Sequence, residues 1–145
     1  MTFPPRHGVS RARLFPDKAC ACAVESRDDC DAFLEAAIVF ARAGLHRART
    51  EHRKHPAWPG WWKSLESDPA VQFFRKERDC LLKEAPPRVG QVIRFGGEGL
   101  RAADLYYYES PDVPATQTIR RHLDSFEVTL IEAERRFSAG RGDAI

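Results

Sequence analysis

A mainly α-helical bundle with a small β-hairpin inserted before its last helix is the fold class this sequence predicts. Three observations predict it. Three stretches carry apolar residues at three-and-four spacing, prolines punctuate the stretches between them, and one segment rich in β-branched and aromatic residues flanks a glycine loop.

The 145 residues suit one core rather than two, and 43% hydrophobic with 30% charged residues is the composition of a folded globular chain. A net charge of +2 and a pI near 8.4 fall short of a dedicated nucleic-acid binder, whose pI usually exceeds about 9. The longest apolar run, Ala36 to Ala41, is far from the roughly 20 residues of a membrane span, so no membrane association is expected. Basic residues Arg6, Arg11 and Arg13 are not followed by the apolar region of an export signal, and the expected location is cytoplasmic.

Residues 1–25 mix Pro4, Pro5, Gly8 and Pro16 without sustained periodicity and are expected to form an irregular N-terminal arm, partly ordered against the body. A single helical domain over 26–138 and a flexible tail over 139–145 complete the expected organisation. Ser26 stands where a helix N-cap is wanted, and Asp28, Asp29 and Asp31 place negative charge against the dipole of the first turns. The stripe Phe33, Leu34, Ala37, Ile38, Ala41, Leu45, Ala48 makes this the first core helix. Cations crowd its end, Arg42, His46, Arg47, Arg49, His52, Arg53, Lys54 and His55, where they complement the dipole or bind phosphate.

Pro56, Pro59 and Gly60 break that helix, and Trp58, Trp61 and Trp62 follow in a short segment read as an aromatic cap on one end of the bundle. Asp68 before Pro69 is a strong start signal for a second long helix ending near Ala85, before Pro86 and Pro87. On a helical projection Val71, Phe74, Leu81, Leu82 and Ala85 share a stripe with Arg78 near its centre, and Phe73 and Cys80 form a second, narrower patch. The hairpin is expected from Val89 to Phe95 and from Asp104 to Glu109, around the Gly96-Gly97-Glu98-Gly99 loop. Asp112 and Pro114 open the last helix, with the stripe Ile119, Leu123, Phe126, Leu130, Ala133, Phe137.

Candidate chemistry centres on Arg78, because an unpaired charge on an apolar face costs several kcal/mol and must find a partner or a ligand. A carboxylate such as Asp29, Asp31 or Glu35 on the first helix is one partner; an anion or phosphate in an inter-subunit groove is the other. Arg75, Asp79 and Lys83 follow one another at four-residue intervals, so Asp79 can pair with either base. Cys20, Cys22 and Cys30 with a histidine form a zinc alternative, but C-x-C with the third cysteine eight residues on lacks knuckle spacing, and neither metal nor cofactor is expected.

The run Phe73-Phe74-Arg75-Lys76-Glu77-Arg78-Asp79-Cys80-Leu81-Leu82-Lys83-Glu84-Ala85-Pro86-Pro87 resembles the arginine-asparagine motif helix of HEPN-like domains. In that family the motif arginine and a histidine four residues after the asparagine line a dimer cleft and, in active members, cut RNA without a metal. Here Arg78 matches the arginine, Asp79 stands at the asparagine, Lys83 takes the histidine position and Ala85 replaces a glycine. Lysine, with an ordinary pKa of about 10.4, is a poor proton carrier near neutrality, and His122 is the other candidate for that role. The resemblance implies a HEPN-like module acting through binding or as a homodimer, with Arg78, Arg75 and Asp79 at the binding site and RNA or a protein as partner. Its alternative is a metal-independent RNase of toxin type that uses Arg78 with Lys83 or His122.

Overall fold

The structure is a computed structural model and describes residues 4–22, 27–83, 88–96 and 99–138. It is a mainly helical bundle with a two-stranded antiparallel hairpin before the last helix, as the sequence predicts.

The first long helix, α3 (Arg27–His52), buries Leu34, Ala37, Ile38, Ala41, Leu45 and Ala48 of the expected stripe, leaves Phe33 half-buried, and adds Cys30, Gly44 and His52. Ser26, its expected cap, lies outside the described residues. The short α4 (Trp58–Ser64) and a 3-10 turn, Leu65–Ser67, lead into α5 (Pro69–Leu82). The aromatic cap forms as expected: Trp58 and Trp61 are buried against Phe137, ring centroids 5.2 Å and 5.5 Å away, with His55 against the same ring at 5.0 Å.

Asp68 caps α5 by accepting hydrogen bonds from the backbone N–H groups of Ala70 and Val71 at 2.9 and 3.2 Å, satisfying donors that the helix leaves open. Its other carboxylate oxygen accepts from the Thr129 hydroxyl, which ties the start of α5 to the last helix, α6 (Ala115–Ser138). The α6 stripe is buried throughout, from Ile119 to Phe137. The hairpin pairs β1 (Val89–Gly96) with β2 (Gly99–Tyr107), Val89 opposite Tyr107, with a register shift between Arg94 and Phe95. The second strand begins earlier than expected because the ladder continues through Ala103, Ala102 and Leu100, skipping Arg101 at the register shift, although alanine has low strand propensity. Gly90 lies opposite Tyr106, whose ring occupies the space a Cβ would take.

Two expectations are corrected. In the segment expected to be an irregular arm, the chain forms α1 (Arg6–Ala12) and α2 (Pro16–Cys22), and Val9, Ala12 and Ala19 belong to the common core. Their stability is tertiary: helices of seven residues are too short to hold by propensity alone. Ion pairs strap them to α6, Arg13 to Asp124 and Glu127 at 2.7 and 2.6 Å, Arg6 to Glu134 at 3.3 Å, and Asp17 to Arg120.

The second correction concerns α5. Its buried face runs through Ala70, Val71, Phe73, Phe74 and Glu77, so the charge on the core side is Glu77 and not Arg78. Of the residues that set Arg78 near the centre of the expected stripe, Leu82 is 72% exposed and ends the helix, and Ala85 lies outside the described residues. Cys30 is fully buried, and Cys80 is half-buried. The side chains of Cys20 and Cys22 lie outside the described ones, as does the tail 139–145; among the described residues no cluster suited to a metal ion forms. No described helix is long and apolar enough to cross a membrane.

Close approach of α1 to α3 is permitted by two glycines. A Cβ on Gly44 would sit 2.6 Å from the Pro5 carbonyl oxygen, and one on Gly8 would sit 2.4 Å from that of Phe40. Gly44→Ala is therefore expected to cost about 1–3 kcal/mol by forcing the helices apart. Gly60, with nothing within 4 Å of its Cβ position, is the control. Gly60→Ala is expected to stabilise by about 0.5–1 kcal/mol through helix propensity. Urea denaturation midpoints of the two variants check both signs.

Candidate functional site

Facing stretches of α3 and α5 carry like charges into one groove. From α3 come Arg42, Leu45 and Arg49, three and four residues apart; from α5 come Val71, Gln72, Arg75 and Arg78, with 71, 75 and 78 on one side of the helix. Trp62, Leu65 and Glu66 close the end, and the whole lines an open cavity of about 260 Å³.

Four guanidinium groups in one cavity repel one another. Arg42, on the α3 wall, is held below the ordinary arginine range first by burial and then by the charges of Arg78 and Arg75, with Asp79 opposing. It stays protonated at any physiological pH. The Nε atoms of Arg42 and Arg78 are both buried without a hydrogen-bond partner among the described residues, a state that costs on the order of 1–3 kcal/mol per donor.

Arg78 does have one ion pair, through Nη2 to Asp79 Oδ1 at 2.9 Å, with the two side chains 36% and 44% exposed. That partner is its sequence neighbour and not a carboxylate of the first long helix. Asp79 in turn has its carboxyl held below the usual 3.8, chiefly by the Arg78 hydrogen bond, with Lys83 and Arg75 adding attraction at longer range. Arg49 lies over the Trp62 ring, 5.3 Å from its centroid, and Trp58 stacks on the same indole at 5.5 Å. The tryptophans are thus used in packing and in holding an arginine.

Of the residues the sequence singles out, Arg75 and Arg78 meet in the cavity, and Asp79 is bonded to Arg78 beside it. Lys83 is the exposed C-cap of α5 and does not line it. His122 is 8% exposed, stacked on Phe73 with centroids 4.2 Å apart, and its Nε2 lies 2.8 Å from Glu109 Oε1. Arg42 and Arg49 sit among the cations at the end of the first long helix, and what brings them here is register: 42, 45 and 49 on one helix answer 71, 75 and 78 on the other.

The buried charge of α5, Glu77, is 5% exposed and is held by Arg88, whose Nη2 and Nε donate to Glu77 Oε1 at 2.8 and 2.9 Å. Burial raises the Glu77 carboxyl above its ordinary 4.5, outweighing Arg88. A void of about 10 Å³ beside it, close to the room one water needs, is lined by Glu35, Cys80 and Tyr107, whose hydroxyl is buried without a partner among the described residues.

Glu35 is raised in the same direction, also mainly by burial. The folded state therefore binds the protons of Glu35 and Glu77 more tightly than the unfolded chain does. Their contribution to stability is full below pH 4.5 and is lost as the pH rises through the folded-state values. Glu77→Gln is expected to flatten this fall in urea midpoints taken between about pH 4 and about pH 8. Arg88→Ala, which leaves the carboxylate unpaired, is expected to steepen it and to cost on the order of 2–3 kcal/mol at neutral pH. No protein-family model matches the chain, nor does any curated protein or solved structure, so the site is read from its own residues.

Proposed function

We propose that the protein is a HEPN-like binding module, non-catalytic, which holds an anionic ligand between Arg42, Arg49, Arg75 and Arg78. The observation that carries this reading is the convergence of four guanidinium groups on one open cavity, two of them with a buried Nε that has no partner. Protein carboxylates could have neutralised such a cluster, yet among the described residues only Glu66 lines the cavity and only Asp79 pairs with Arg78. An anion held between the two walls would accept from guanidinium N–H groups of both helices and relieve the repulsion on Arg42. A homodimer with Arg78 near a shared cleft, expected from the family resemblance, is part of the same proposal.

The alternative, RNA cleavage by Arg78 with Lys83 or His122, draws less support from the geometry. A proton carrier must come within hydrogen-bond reach of the scissile group. Neither Lys83 nor His122 lines the cavity that Arg78 lines, and the His122 ring is stacked on Phe73 and bonded to Glu109.

The test is thermal unfolding with increasing sulfate or tripolyphosphate, for the wild type, Arg42→Gln and Arg75→Ala, beside light scattering for assembly. Anions are expected to raise the wild-type midpoint. Arg75→Ala, at an exposed position, is expected to weaken binding by about tenfold, since a hydrogen bond to a charged group contributes about 1.5–3 kcal/mol. Arg42→Gln is expected to raise the midpoint without anion and to lose the response to it, because it removes a repelled, half-buried charge. No response to any anion would sink the binding reading. RNA cleavage in the presence of chelator, lost in Arg78→Ala, would install the nuclease in its place.

A further inference from the structure

We infer that the ligand of the arginine cavity is a terminal phosphate dianion carrying a compact apolar or aromatic group, a phosphomonoester, and not the diester backbone of a nucleic acid. This rests on the anion-binding reading above and adds the chemical class of the anion.

Charge balance is the first argument. The four guanidinium groups of the cavity face two carboxylates, Glu66 at its rim and Asp79 bound to Arg78, which leaves two positive charges uncompensated. A phosphomonoester near neutral pH carries close to two negative charges and three strong acceptor oxygens, whereas a backbone phosphate carries one.

Geometry is the second. Arg42 stands on the α3 wall and Arg78 on the α5 wall, so a group held between them accepts from both helices at once. Three terminal oxygens can do so and still receive Arg75, while a diester has only two that are unesterified.

The third argument is the remaining wall. Leu45, Leu65 and Val71 line the same cavity, and a bare inorganic anion would leave them against water. An organic substituent covers them. The Trp62 ring already carries Arg49 over it and Trp58 stacked on it, so that substituent packs on the aliphatic side chains. A cavity of about 260 Å³ lies at the small end of ligand sites, which keeps the substituent compact.

The charged groups facing the ligand are Arg42 and Arg49 from α3, Glu66 from the 3-10 turn, and Arg75, Arg78 and Asp79 from α5, with no histidine among the lining residues. Arginine keeps its proton throughout. A change in affinity between about pH 5 and 7.5 therefore reports the ligand's own second ionisation, near pH 6.

Isothermal titration of the full chain with phenyl phosphate, sulfate, dimethyl phosphate and a short oligoribonucleotide hydroxylated at both ends tests this. Phenyl phosphate is expected to bind tightest, about tenfold above dimethyl phosphate, and to weaken about tenfold on going from pH 7.5 to pH 5 while sulfate holds constant. Arg42→Gln and Arg78→Gln are expected to abolish binding; Arg75→Gln, at an exposed position, weakens it with the fold intact. The same oligoribonucleotide bearing a 5′-phosphate separates the sources. A gain equal to that of phenyl phosphate assigns the dianion to the end of a chain, and no gain assigns it to a small molecule. Binding of the hydroxyl-ended oligoribonucleotide as tightly as phenyl phosphate, or pH-independent binding of phenyl phosphate, overturns this inference and leaves anion binding standing. Failure of every probe to bind overturns both.

Discussion

The seam between α3 and α5 is the contact on which both the architecture and the site depend. α3 touches α1, α2, α5 and α6, and it can do so because its buried face is built from small residues, Ala37, Ala41, Gly44 and Ala48, between larger ones. Gly44 lets α1 approach until its helix meets the Pro5 carbonyl, which fixes the rotation of α3 about its own axis. With that rotation set, Arg42, Leu45 and Arg49 fall into the seam with α5. A turn by one residue, about 100°, would carry both arginines away from Arg75 and Arg78.

Adjacent residues on α5 divide two opposite tasks. Glu77 goes into the core and is held by Arg88 at the entrance to β1, so a charged pair ties the central helix to the hairpin. Arg78, 100° further round, goes to the groove. The tie is not a strong source of stability, because burial raises the Glu77 carboxyl in spite of Arg88. Its effect is positional: with Glu77 anchored inward, Arg78 is fixed at the groove edge together with Asp79.

How much of this was legible follows from the same physics. The three long helices, the tryptophan cap and the hairpin were readable because each has a local signature, such as Asp68-Pro69 at the start of α5 or the stripe from Ile119 to Phe137. α1 and α2 have weak local signals and are held by packing on α3 and by ion pairs to residues more than a hundred positions away on α6, Asp124, Glu127 and Glu134 for α1 and Arg120 for α2. Phe15-Pro16-Asp17, a proline at the first helical position followed by an acid, was the one cue to α2. For the site, Arg78 and Arg75 stood out by sequence, but the inward side of α5 was assigned one residue too far round, since apolarity at Leu82 and Ala85 does not reveal that the helix stops at Leu82. Arg42 and Arg49 could be listed among cations able to bind phosphate. Their convergence on Arg75 and Arg78 needed the crossing of two helices, which no local pattern encodes.

What the groove offers chemically is fixed charge. Proton transfer needs a group that can change its protonation near neutrality, and guanidinium cannot. His122, the residue best suited to that role by type, stands between Phe73 and Glu109, where its ring contributes to the junction of α5, α6 and the hairpin. Lys83 ends its helix in solvent. Fixed positive charge with unfilled donors is suited to holding an anion, and it carries a cost when none is held: mutual repulsion of Arg42, Arg75 and Arg78, and two buried Nε groups without acceptors. A chain selected for stability alone would lose that cost with a single Arg42→Gln change. Retaining arginine there is physically coherent when the anion is normally present, since binding to the folded state alone stabilises it by mass action.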